Sequence, residues 1–342
     1  MIQKIIKENE QGQRFDKYLH KLLPNASGSF LYKMLRKKNI TLNGKKAEGS
    51  EKLNLNDSIE LFFADDTFLK FSEQVDETQF LEAYDKLKGI QIIYEDDQVI
   101  LLDKPSGILS QKAEQEDLSL NEWLIGYLLR NDKMQPKELT TFRPSVCNRL
   151  DRNTSGIVLC GKTLAGTQML SELLKERSLH KFYRCIVEGK MNQDVTLEGY
   201  LKKDEKTNKV TVLNDKEYEL MNIEEKNLQD DFQRIITKYK PVCCYQTEAG
   251  KHTLLEIELI TGKTHQIRAH LASVNHPIIG DYKYGNKKVN DRYKESFGVC
   301  DQLLHAYRVE FPRLTSPFEQ ISEKTIVCEL PDLMLKLLQN EV

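Results

Sequence analysis

Asn148-Arg149-Leu150-Asp151-Arg152-Asn153-Thr154-Ser155-Gly156-Ile157-Val158-Leu159 sets one carboxylate between two arginines. A Thr-Ser-Gly turn follows it, then an apolar, β-branched run that predicts a strand. An acid at such a turn sits in a local positive field, which keeps it ionised and draws phosphates. Ionised and partly desolvated, it is a competent nucleophile. Alone, an Arg-Leu-Asp-Arg string is usually a solvated turn with exposed ion pairs worth about 0–1 kcal/mol. Other segments of the chain decide between the two.

The 342 residues suffice for two domains or for a large domain with a small module. No apolar run approaches the ~18 residues of a transmembrane helix. Met1-Ile2-Gln3-Lys4-Ile5-Ile6-Lys7-Glu8 lacks the apolar core of a signal peptide, so a cytoplasmic protein without membrane attachment is expected. Seven cysteines, an odd count without any Cys-x-x-Cys pair, argue against a disulfide framework and against zinc.

The net charge of −2 hides an asymmetry. Residues 1–63 hold 12 Lys and Arg against 7 Asp and Glu, and the remainder is acidic. A basic module on an acidic body points to a polyanionic partner. Within that module Phe15, Leu19, Leu22 and Leu23 share one helical face, and Phe30, Leu31, Met34 and Leu35 share a second. Ser27 or Ser29 is placed to cap the second helix. That helix ends in Arg36-Lys37-Lys38. A strand, Ile40-Thr41-Leu42, a turn at Asn43-Gly44 with Lys45 and Lys46, and a closing strand alternating Ile59, Leu61 and Phe63 come next. Residues 64–89 are acidic and predict a linker with a short helix near Phe80–Leu87. Leu118–Arg130 predicts a helix, and residues 201–234 an exposed hairpin with an acidic loop around Glu224–Asp231.

Four more segments accompany the Asp151 string. They are His180–Gly189, a strand with an aromatic between bases; Thr261-Gly262-Lys263-Thr264-His265-Gln266-Ile267-Arg268-Ala269-His270, a Gly turn into a basic helix; His276-Pro277-Ile278-Ile279-Gly280-Asp281-Tyr282-Lys283-Tyr284-Gly285; and Leu304-His305-Ala306-Tyr307-Arg308. His265 and His270 lie five apart and face different sides of a helix, a poor joint metal site.

In this order the five segments resemble the RluA family of RNA pseudouridine synthases. The N-terminal pattern resembles an S4-type RNA-binding module, as in the RluC-type branch that modifies large-subunit ribosomal RNA. The resemblance implies an α+β protein: an S4-type module at 1–63, a linker at 64–89, and a catalytic domain at 90–342 built on a large, mainly antiparallel mixed sheet with a central cleft and flanking helices. It implies cofactor-free, metal-free isomerisation of uridine to pseudouridine. Asp151 matches the catalytic aspartate, Tyr183 a tyrosine that stacks on uracil, and Arg268 the partner of the aspartate. Arg149 matches a base that enters the RNA where the uridine leaves. RNA contacts are expected from Arg152, Lys104, Lys263, His265 and Gln266, and in the module from Arg36, Lys37, Lys38, Lys45 and Lys46. A monomer acting on ribosomal RNA is expected, with transfer RNA open as a substrate.

The chemistry fits these roles. The N1–C1′ bond breaks, the ring turns and a C5–C1′ bond forms, with no redox change and no hydrolytic water. Attack by the carboxylate and passage through a glycal both stay open. An arginine partner favours the charged acid, and an aromatic face with an inserted cation offsets the cost of unstacking the uridine. Asn148 departs from the family's usual histidine, and Lys263 from its usual arginine. Asn148 is the one support for a competing role, an assembly factor that binds RNA without catalysis. A hydrolase with two acids would need a second carboxylate, for which only Asp281 stands near.

Overall fold

The computed structural model describes residues 1–73, 75–224 and 231–339. The chain forms two compact units. One comprises Met1–Lys88, Leu118–Ser145 and Gly161–Gln168; the other comprises Gly89–Asp117, Val146–Cys160 and Met169–Val342.

In the first unit β1 (Ile2–Ile5), β4 (Ser58–Leu61), β2 (Ile40–Leu42) and β3 (Lys45–Lys46) form an antiparallel sheet in that order. Asn43 and Gly44 join β2 to β3 with φ of 52° and 70°, the left-handed pair that a two-residue hairpin turn requires. Helices α1 (Phe15–Leu22) and α2 (Gly28–Arg36) bury Phe15, Leu19, Leu22, Leu31 and Leu35 against Ile40, Ile59 and Leu61. Ser27, not Ser29, caps α2 by accepting from the Phe30 N–H at 3.2 Å. Arg36, Lys37, Lys38, Lys45 and Lys46 are all exposed.

The acidic stretch after this sheet contains two helices, α3 (Asp65–Phe71) and α4 (Thr78–Lys86). Phe68 and Phe71 of α3 pack on the small core, Phe71 with its ring 4.6 Å from that of Phe30. Helix α4 packs on α5 (Leu120–Arg130), where a Cβ on Gly126 would lie 2.1 Å from the Phe80 carbonyl oxygen. Lys7 pairs with Glu138 at 3.4 Å, and the Thr141 hydroxyl donates to Glu10. These contacts place 118–145 with the N-terminal unit, whereas the sequence division assigned that stretch to the catalytic domain.

The second unit is built on one mixed sheet. Its strands are β5 (Gln91–Glu95), β6 (Val99–Lys104), β7 (Ser145–Val146), β8 (Ser155–Gly161), β9 (His180–Glu188), β10 (Val195–Asp204), β11 (Lys209–Leu213), β12 (Gln233–Thr247), β13 (Gly250–Leu259), β14 (Leu304–Glu310) and β15 (Thr325–Val327). The order is β11-β10-β12-β13-β9-β14-β8-β6-β5, with β7 on β8 and β15 on β14. The described pairings are antiparallel except β14 with β8. Helix α6 (Leu164–Glu176) supplies Met169, Leu170 and Leu173 to a core with Val99, Leu101, Ile157, Leu159 and Val309. The predicted 201–234 hairpin is present as β10 and β11, followed by an unanticipated helix, α7 (Asp215–Glu224). The acidic loop expected there falls mainly at 225–230, outside the described residues. Helices α8 (Gln266–Ser273), α9 (Lys287–Phe297) and α10 (Asp332–Gln339) complete the unit. No helix among the described residues is long and apolar enough to cross a membrane.

The Thr-Ser-Gly turn has a steric cause. Gly156 has φ 106°, and a Cβ there would lie 2.2 Å from the Ala306 carbonyl oxygen on β14. Substitution meets both backbone strain and a backbone clash. Gly156→Ala is expected to destabilise the protein by about 3 kcal/mol or more. Denaturant unfolding followed by tryptophan fluorescence and circular dichroism measures this.

Candidate active site

Asp151 lies four residues before β8, on a loop fastened almost residue by residue. Asn148 Oδ1 accepts the Leu159 N–H at 2.7 Å. The buried Ser110 hydroxyl donates to the Leu150 carbonyl at 2.9 Å and accepts the Leu150 N–H at 3.0 Å. The Arg152 carbonyl accepts from the Gly107 N–H, and the Asn153 carbonyl accepts from the Ser106 hydroxyl, each at 3.0 Å. Asn153 Nδ2 donates to Asp301 at 2.6 Å, and Gln302 donates to the Thr154 hydroxyl at 3.2 Å. Ser155 Oγ and His305 Nδ1 are 2.9 Å apart. Such a frame fixes the Asp151 backbone before any ligand arrives.

Lys104 belongs to this frame and not to an RNA-facing surface, which corrects the expectation from sequence. Its side chain is fully buried. Nζ donates to the carbonyls of Pro105, Ile108 and Arg152 at 3.0, 2.8 and 2.9 Å, which engages all three protons. Burial lowers its pKa to about 8, against the pull of Asp151 and Asp103, so it remains an ammonium at neutral pH.

Above the loop, Arg268 joins two carboxylates. Nε and Nη2 donate to Asp281 at 2.7 and 2.9 Å, and Nη1 donates to Asp151 Oδ2 at 2.8 Å. Asp281 is buried and also accepts the N–H groups of Lys283 and Tyr284 at 2.9 and 3.2 Å. Burial opposes the guanidinium charge, but Asp281 and Asp151 together raise its pKa above the ordinary value. The Arg268 Cζ also lies 5.3 Å from the Tyr284 ring centroid. Asp281 is thus committed to Arg268, and the two-acid hydrolase finds no free second acid in it.

Tyr183 sits mid-sheet on β9, opposite Ile257 of β13 and Ala306 of β14, and is 6% exposed. Burial first, then the Asp151 charge, raises its hydroxyl pKa above the ordinary value, so it is not a base at neutral pH. Asp151 keeps 27% of its side-chain exposure, against 9% for Arg268 and none for Asp281. Access to the site therefore runs to Asp151.

The remaining expected residues divide. Arg149, Arg152 and Lys263 are exposed. Gln266 is buried: its Oε1 accepts from the Thr261 hydroxyl and the Lys263 N–H, and its Nε2 donates to the Ile236 carbonyl and the Thr237 hydroxyl. With its amide saturated it is a brace for the turn into α8, not an RNA contact. His265 turns inward, with Nε2 3.9 Å from Asp151 Oδ2. His270 is buried, with Nδ1 3.0 Å from the Thr237 hydroxyl. Tyr284 and Ser110 received no role from the sequence; the Gly280–Gly285 string was visible, but which of its side chains turn inward was not. Among the described residues no three His, Cys, Asp or Glu side chains cluster as metal ligands.

A family model for RNA pseudouridylate synthase matches residues 98–273, which contain the Asp151 loop, Tyr183 and Arg268. The chain belongs to this family, enzymes that isomerise uridine in RNA. An uncharacterized RNA pseudouridine synthase of Mycoplasma pneumoniae is 32% identical over 91% of this chain and 88% of its own. Relatives named ribosomal large subunit pseudouridine synthase C and D also align. The D-type protein of Borreliella burgdorferi is 28% identical over 98% of this chain and 91% of its own. Among solved structures, human RNA pseudouridylate synthase domain containing 4 shares the fold, with a TM-score of 0.55 at 19% identity, over 76% of this chain and 95% of that one.

Lys104→Met keeps the bulk and removes all three donors. It is expected to lower stability by about 1–3 kcal/mol and turnover at least ~10-fold, with RNA affinity unchanged within about twofold. Thermal unfolding, single-turnover kinetics and filter binding test these together. Lost affinity at full stability would return Lys104 to the RNA surface.

Proposed function

We propose that this enzyme converts specific uridines of large-subunit ribosomal RNA to pseudouridine, with Asp151 as the reacting carboxylate. The observation that carries this reading is the asymmetry of that carboxylate: Arg268 Nη1 holds Oδ2 while the side chain stays accessible beside Tyr183. A carboxylate held at one oxygen and open at the other can attack the sugar or the base, or take a ribose proton. Tyr183 offers a flat surface for the flipped uracil. Arg149 and Arg152, exposed on either side of Asp151, are proposed to meet the backbone and fill the gap that the uridine leaves.

The ribosomal substrate is supported by the names of the large-subunit relatives and by the basic N-terminal sheet module. In this reading residues 1–63 act as an S4-type RNA-binding module, 64–88 continue the same unit as α3 and α4, and the unit of Gly89–Asp117, Val146–Cys160 and Met169–Val342 carries the chemistry. Asn148 supports catalysis, since its carboxamide fastens the Asp151 loop to β8.

Tritium release from RNA labelled at uridine C5 tests the proposal. Wild type should release tritium from a large-subunit ribosomal transcript, and Asp151→Asn should lose ~10³-fold or more, about 4 kcal/mol of barrier, while still binding. Release by both proteins would remove Asp151 from the chemistry, and a preference for transfer RNA would change the substrate. Combined Ala substitution of Lys37, Lys38, Lys45 and Lys46 should weaken binding by about tenfold or more and flatten its salt dependence. An unchanged salt slope would assign those lysines to a merely solvated face.

A further inference from the structure

His265 adopts φ 53° and ψ 16° at the start of α8, the left-handed region that favours glycine and that L-residues other than Asn and Asp rarely enter. Such a conformation persists only where its surroundings enforce it. Here it swings the imidazole to 9% side-chain exposure, between Asp151 and Tyr284. Nδ1 is 2.9 Å from the Tyr284 hydroxyl, the two rings meet edge to face at 5.6 Å, and Nε2 is 3.9 Å from Asp151 Oδ2.

The hydrogen bonds determine the tautomer. The Tyr284 hydroxyl accepts the Val210 N–H at 3.0 Å. Its own proton has His265 Nδ1 as acceptor, which leaves the ring proton on Nε2. The opposite tautomer would turn an Nε2 lone pair toward a carboxylate and deprive the tyrosine proton of this acceptor. The charged groups around the ring are Asp151, Arg268, Lys283 and Asp281. Burial, opposed by Asp151 and reinforced by Arg268 and Lys283, lowers the imidazole pKa, so the ring is neutral at pH 7.

We infer that Tyr284 and His265 form a positioning pair, in which a neutral Nε2–H is aimed at the Asp151 oxygen already held by Arg268, leaving Oδ1 as the reacting atom. Both donors stand on one side of the carboxylate. The N–H dipole at 3.9 Å acts as an electrostatic guide, since the separation exceeds a hydrogen bond. Val210 is the second residue of β11, so the β10–β11 hairpin is tied through Tyr284 and His265 to the carboxylate. The inference rests on the proposal that Asp151 reacts, and it moves His265 from RNA contact to positioning residue.

Two readouts on the full chain test it. With ¹⁵N-labelled histidine, and His265→Asn used to assign the signal, NMR should show His265 as the Nε2–H tautomer at neutral pH. Tyr284→Phe should shift it toward a mixture. An Nδ1–H tautomer in wild type, or no response to Tyr284→Phe, would overturn the pair. In single-turnover kinetics His265→Ala should lower the rate about 10–100-fold with RNA affinity within about twofold. His265→Gln, which keeps an amide donor, should recover part of the rate. Adding Tyr284→Phe to His265→Ala should cost little more. Lost RNA affinity at an undiminished rate would make His265 an RNA contact and overturn the inference. Asp151→Asn is run alongside: its retained activity would refute the catalytic role of Asp151, whereas the tautomer tests the pair separately.

Discussion

Two carboxylates share one guanidinium, and the site depends on how that sharing is divided. Asp281 takes a two-pronged bond from Arg268 together with two backbone N–H groups, and is buried. Burying a charge is costly unless it is paired and its lone pairs are met, and both conditions hold for Asp281. Arg268 is thereby fixed by an acid with no access to substrate. Its one remaining prong reaches Asp151, which stays partly exposed. The buried carboxylate and the one proposed to react are thus distinguished by environment, although the residue type is the same.

The second constraint is the backbone beneath Asp151. Ser110, Lys104 and Gln302 contact the loop through its N–H, carbonyl and hydroxyl groups, and the loop's own Asn148 accepts the Leu159 N–H of β8, while Arg149 and Arg152 stay exposed. A loop held this way loses little entropy on meeting RNA, so binding energy can go into extracting the uridine. A fully buried ammonium saturated by three carbonyls tolerates desolvation because each proton has a fixed acceptor.

Much of this was legible in the sequence for stated reasons. The Asp151 string preceded a β-branched run, and β8 begins at Ser155. The 261–270 segment combined a Gly turn with a basic helix, and Arg268 of that helix meets Asp151. Helical spacing of Phe15, Leu19, Leu31 and Leu35 identified the small core. Orientation was less legible than identity. Lys104 and Gln266 carry side chains that suit RNA, and only three-dimensional neighbours reveal that their donors are engaged inside. Helix α5 packs on α4, 34 residues or more earlier in the chain, and no periodicity encodes that partner. Asp281 was noticed as an acid, but its commitment to Arg268 depends on a turn that brings residues 281 and 268 together.

The most direct measurement is a double-mutant cycle on the single-turnover rate with Asp281→Asn, Arg268→Ala and the pair, with RNA affinity recorded for each. If the buried carboxylate acts by fixing Arg268 against Asp151, Asp281→Asn alone should slow turnover nearly as far as Arg268→Ala. The double variant should then be little slower than either. Asp281→Asn turning over at the wild-type rate, or losses that simply add, would show that Asp151 does not depend on the shared guanidinium.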